Sequence, residues 1–102
     1  MKLGSIHHVA IIVSDYERSK KFYVEKLGFE IIRENYRAER GDYKLDLKLD
    51  GCELEIFSAV GNPPRPSYPE ACGLRHLAFR VESAEEAVAW LRTLGIECEP
   101  VR

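Results

Sequence analysis

The sequence predicts an α+β fold built from paired β-α-β-β-β modules, the second lacking its last two strands. Three observations carry that prediction. A strand-like segment, a capped helix and a glycine stop occur twice, offset by 68 residues at His8 and His76 and by 67 at Gly28 and Gly95. The first copy is followed by three further strand-like segments, two of them joined by Asp50-Gly51. A proline-rich stretch separates the copies.

Residues 6–13 are rich in β-branched side chains and stop at a polar break, which reads as a strand. Ser14-Asp15-Tyr16-Glu17 then has the spacing of a capping box, in which Ser14 takes an orphan amide and Glu17 reaches back. The helix is expected to run to about Leu27, with Gly28 at the left-handed cap position. Residues 29–35 read as the second strand. Residues 43–49 read as the third, because Leu45, Leu47 and Leu49 alternate with Lys44, Asp46 and Lys48. Asp50-Gly51 is a hairpin signal leading into a fourth strand over 52–57.

Pro63, Pro64, Pro66 and Pro69 exclude a helix or a central strand from 58–73. Beyond them His76–Val81 repeats His8–Val13, Ser83-Ala84-Glu85-Glu86 forms a second capping box, and a helix follows to Leu94-Gly95. Residues 96–99 read as the start of another strand. The chain is thus read as one domain over 1–102, with a first module at 1–57, a linker at 58–73 and an incomplete second module at 74–102. At the same offset, the counterpart of Glu55 would fall past Arg102.

A formal net charge of −2, with acids and bases interleaved, gives no basic stripe for nucleic acid. No apolar run approaches the roughly 20 residues that span a bilayer, and no signal-peptide core opens the chain. Cys52, Cys72 and Cys98 are odd in number and lack C-x-x-C spacing, which fits a reducing cytoplasm and small buried fillers. No nucleic-acid or membrane partner is expected.

Strand alternation selects the candidate site. Val9, Ile11 and Val13 suit a helix-covered face, leaving His8, Ala10 and Ile12 opposite; Leu54 and Ile56 likewise leave Glu53, Glu55 and Phe57 opposite. In the repeated strand His76, Ala78 and Arg80 take the same place. His8, Glu55 and His76 on one concave face make a plausible nitrogen and oxygen set for a divalent transition metal, against the plainer alternative of a hydrogen-bonded histidine and a solvated glutamate. Arg37, Arg40 and Lys44 are candidates for a substrate carboxylate, with a solvated face as the alternative. Arg80 is placed to pair with Glu53 or with an anionic substrate, and Phe57 to line a pocket. His7, on the helix-facing side, reads as a buried structural histidine, and Trp90 as core.

These motifs resemble the vicinal-oxygen-chelate superfamily, which includes glyoxalase I, the fosfomycin- and bleomycin-resistance proteins and extradiol dioxygenases. The resemblance is carried by the paired His7 and His8, Asp15, Phe22-Tyr23, Leu27-Gly28-Phe29, the segment Glu53–Phe57 and the segment Gly73–Phe79. The stretch Pro64–Phe79 looks especially like small bacterial glyoxalase-like proteins of the YaeR/YwkD type. The resemblance implies paired β-α-β-β-β modules around a metal, Ni, Zn or Co, held here by His8, Glu55 and His76. It implies a fourth ligand, a glutamate on the last strand, that has no counterpart within these residues. It further implies a metal-dependent enzyme of the lactoylglutathione lyase type, with Glu55 as the catalytic carboxylate left to it, a small vicinal-oxygen substrate and a homodimer. The alternative it leaves is a non-catalytic protein that sequesters a small molecule, as resistance proteins do.

Overall fold

A computed structural model describes residues Met1–Arg102 and divides into two compact units, Met1–Arg65 and Pro66–Arg102. The first holds strands β1 (His8–Ile12), β2 (Glu30–Arg37), β3 (Asp42–Leu49) and β4 (Cys52–Ala59), with helix α1 (Tyr16–Lys20) between β1 and β2. The second holds helix α2 (Ala84–Thr93). No helix is long and apolar enough to cross a membrane.

The sheet runs in the order β1-β4-β3-β2. β2, β3 and β4 form an antiparallel meander, and β1 adds to it parallel to β4. The Asp50-Gly51 turn pairs Leu49 with Cys52, which fixes the register of the hairpin and places Leu45 opposite Ile56 and Leu47 opposite Leu54. Those four side chains have no exposed surface and form the centre of the core; burial of each is worth about 1.5–3 kcal/mol. Tyr16 of α1 is buried beside them, stacked on Tyr43 at 4.3 Å between ring centroids.

The helix in this unit departs from expectation in two ways. Its cap is Asp15 rather than Ser14: Asp15 has the extended backbone of a cap, and its carboxylate accepts the Arg18 amide at 3.1 Å. The α-helical stretch also ends at Lys20 and continues as a π-helical one over Lys21–Lys26, closed by the Leu27 amide on the Phe22 carbonyl at 3.0 Å. Gly28 then takes the left-handed conformation with φ +81°, as a cap glycine should. The wider turn stacks Tyr23 edge-on against Phe22 and near Phe29.

In the second unit the expected cap is present: the Ser83 hydroxyl accepts the Glu86 amide at 3.1 Å. The helix ends in a Schellman motif, with Ile96 donating to Leu91, Gly95 donating to Arg92, and Gly95 at φ +78°. The strands expected at 76–81 and 96–99 are absent from this structure. The physical reason lies in the ladder. In the first unit β1 has one hydrogen-bonded neighbour, β4, and the second unit offers no copy of β4 for His76–Val81 to pair with. With no sheet in its own unit beneath α2, Trp90 is 48% exposed rather than core. The cysteines are all free, and Cys72 is exposed rather than a buried filler.

Candidate site on the open face of the sheet

The pairing registers lay out the face opposite α1 as a grid. Across β1, β4, β3 and β2, one row reads His8, Glu53, Lys48, Glu30; the next Ala10, Glu55, Asp46, Arg33; the next Ile12, Phe57, Lys44, Asn35; and the last, from β4 on, Ala59, Asp42, Arg37. The opposite parity carries Val9, Ile11, Leu45, Leu47, Leu54 and Ile56 toward the core. A break in register between Ile31 and Arg33 keeps Arg33 opposite Asp46.

His8 and Glu55 share a face as alternation predicts, and the β1–β4 register brings them together. The His8 Nε2 lies 3.8 Å from the Glu55 Oε2, and the Glu55 side chain is 15% exposed. On its other edge, the His8 Nδ1 is 2.9 Å from the Nδ1 of His7. One of these nitrogens therefore carries the proton and the other accepts it. His7 is exposed and contacts its neighbour's ring, in contrast to the buried structural role expected for it. When His8 is the Nδ1 donor, its Nε2 presents a lone pair toward Glu55, which is the form a metal ligand needs.

The other oxygen of Glu55 faces a cation. Lys44 Nζ lies 4.0 Å from Glu55 Oε1 and 3.3 Å from Asp46 Oδ1. Asp46 has no exposed surface, and it accepts a hydrogen bond from Arg33 at 2.7 Å on Oδ2. Arg33 also reaches Glu53 at 3.4 Å. The charges thus alternate along a chain from Glu55 through Lys44 and Asp46 to Arg33. Period-two alternation in β3 assigned Lys44, Asp46 and Lys48 to an outward face; Lys44 was a candidate only for a substrate carboxylate, and Asp46 and Lys48 had no part in the site. The signal for them was the Asp50-Gly51 turn, because pairing Leu49 with Cys52 sets Asp46 beside Glu55.

Arg37 and Phe57 are also brought together, with the guanidinium 4.9 Å from the ring centroid. Arg37 grips Asp42 through Nε and Nη2 at 2.7 and 2.5 Å. That bidentate bond raises the pKa of Arg37 and holds the Asp42 carboxyl below the usual carboxylate range. His76 and Arg80 belong to the second unit, where both are exposed on a segment outside any strand. Within neither unit do three histidine, cysteine, aspartate or glutamate side chains group closely enough to hold a metal ion.

Comparison with known proteins gives concordant results. The family model described as Glyoxalase/Bleomycin resistance protein/Dioxygenase superfamily matches residues 5–102. YwkD of Bacillus subtilis is 60% identical over 103 residues, which cover 100% of this chain and 80% of that protein. The crystal structure of a glyoxalase family protein from Enterococcus faecalis is 63% identical, with a TM-score of 0.91 over 96% of this chain and 78% of its own. Glyoxalase I of Leishmania major, a trypanothione-dependent enzyme, is 27% identical, with a TM-score of 0.73 over 97% of this chain and 73% of its own.

Proposed function

Because this chain belongs to the Glyoxalase/Bleomycin resistance protein/Dioxygenase superfamily, we propose that it is a metal-dependent enzyme of the lactoylglutathione lyase type. Its substrate would be a small vicinal-oxygen compound such as the hemithioacetal of methylglyoxal and a thiol. The observation that carries this reading is the convergence of His8 Nε2 and Glu55 Oε2 at 3.8 Å on the open face of the sheet. An imidazole nitrogen and a carboxylate oxygen are the donors that Ni²⁺, Zn²⁺ or Co²⁺ takes, with bonds of about 2 Å, so a small side-chain rotation lets both reach one ion.

His8 and Glu55 would hold the metal, with His76 as the third protein ligand. When bound, the metal supplies Lewis acidity toward two neighbouring substrate oxygens. The chain's own residues do the rest. Glu55, steered by His8 on one oxygen and by Lys44 on the other, takes the proton from the carbon bearing the thiol and returns it to the adjacent carbon. The net change is an isomerisation of the hemithioacetal to a 2-hydroxy thioester, with no atom gained or lost. Phe57, Arg37 and Arg80 are the substrate-contacting residues in this reading, which also takes the protein as a cytoplasmic homodimer.

The test is metal uptake and turnover measured on the same preparations. The purified chain should take up Ni²⁺, Co²⁺ or Zn²⁺ stoichiometrically, and His8→Ala and His76→Ala should each lower the bound metal substantially. Glu55→Gln should cut conversion of the methylglyoxal–thiol adduct by about 10²–10⁴-fold. Metal content unchanged in both histidine variants, or full turnover by Glu55→Gln, would overturn the assignment.

A further inference from the structure

One pleat beyond Glu55 the open face leads into a pocket of about 460 Å³ bordered by Ala10, Ile12, Phe57, Arg37, Arg40 and Asn62. Its two sides differ in chemistry. Ile12 is 70% exposed and sits across from Phe57 in the β1–β4 register, so together they give an apolar floor with nothing polar between them. The opposite side is built from nitrogen donors. Arg37 lies over the Phe57 ring and spends Nε and Nη2 on Asp42, which makes a rigid, internally neutral pair with Nη1 left over. Arg40, on the turn after β2, adds a positive charge close enough to bear on Asp42. The Asn62 side-chain oxygen accepts the Ala59 amide at 2.8 Å, which fixes the group and leaves its NH₂ to donate. Asp42 also lines the pocket, but both of its oxygens are engaged by Arg37, whereas Glu39, the acid of the same turn, lies outside it.

We infer that this pocket binds the carboxylate of a compact organic acid, with Arg40, Arg37 and Asn62 as donors and Ile12 and Phe57 under its apolar body. Guanidinium forks favour a planar carboxylate over a neutral amide because each hydrogen bond is then charge-assisted. The inference deepens the proposed function by naming the substrate class. Glu55 and Phe57 are two residues apart on one strand, about 7 Å. A molecule with its vicinal oxygens at His8 and Glu55 therefore reaches the Arg37 guanidinium over Phe57 with only a short chain in between. The thiol half of the adduct would carry a carboxylate within a short chain of its sulfur.

The pocket is tested without added metal, by titrating the full chain with phenylacetate and with phenylacetamide and following amide shifts by NMR. Phenylacetate should bind about tenfold more tightly than the amide, and Arg40→Gln should weaken the acid by about tenfold while leaving the amide unchanged. Metal uptake is measured separately. Arg40-dependent binding of the acid without metal uptake would sustain the pocket and sink the metal reading. Equal affinity for acid and amide, equal affinity of the wild type and Arg40→Gln for the acid, or no binding of the acid each overturns the proposal.

Discussion

Arg33 donates to Asp46 at 2.7 Å across the β2–β3 pair, and the carboxylate that accepts is wholly buried. Lys44 donates to the same oxygen, Oδ2, at 3.4 Å, while Oδ1 has no hydrogen-bond partner, so Arg33 makes the shorter and principal bond. Arg33→Met should therefore cost about 1–3 kcal/mol, the penalty for leaving a buried acceptor under-satisfied. Arg18→Met, at an exposed position, should stay within about 0.5 kcal/mol of the wild type. Urea unfolding of the two variants checks the contrast.

Lys44 contests Glu55 with any metal. Its ammonium is 4.0 Å from Oε1, where it neutralises the carboxylate and repels a divalent ion. Lys44→Met should tighten Ni²⁺ or Zn²⁺ binding by about three- to tenfold, while Lys44→Arg should keep wild-type affinity. Competition against a chromogenic chelator reads both.

Glu34 gives the acid limb of the stability curve one identifiable contributor. Hydrogen bonds from Lys20 and then from Tyr16 hold its carboxyl below the ordinary value of 4.5. A folded pKa beneath the unfolded one means the stabilisation is complete above 4.5 and is lost as pH falls through the folded value. The group is about a third exposed, so its worth is below about 1 kcal/mol. Glu34→Gln should lower stability near neutral pH, and its deficit against the wild type should close progressively below 4.5. Denaturant midpoints taken across that range measure it.

The caps separate two neighbouring residues. Asp15→Ala should destabilise the first unit by about 1 kcal/mol, since Asp15 alone satisfies the Arg18 amide. Ser14→Ala should be nearly silent. Ser83→Ala should cost about as much as Asp15→Ala, because Ser83 caps α2. Thermal melts of the three variants rank them.

Much of the first unit was legible because its signals are local. Alternation in β3, the Asp50-Gly51 turn and the cap glycines Gly28 and Gly95 each depend on a few adjacent residues, and all reappear in the structure. That His8 and Glu55 share a face was legible too, since it needs only the two strand parities; their proximity comes from the β1–β4 register. What escaped is set by partners distant in sequence. Asp46 looks like any outward acid until Arg33 and Lys44 close over it. The π-helical stretch at Lys21–Lys26 leaves the apolar spacing of a helix almost intact, so periodicity does not reveal it. The repeat at His76–Val81 copies the sequence of β1 without supplying the strand that β1 pairs with.

That parallel pairing has a kinetic consequence. The β2–β3–β4 meander closes through short turns, whereas β1 must meet a strand more than forty residues later in the chain. Contacts so remote carry a larger loop-closure entropy and form slowly. The strand that carries His8 closes the longest loop of the sheet, so an imidazole beside Glu55 depends on that remote pairing. A metal ion gripped by that pair would hold that seam of the sheet shut.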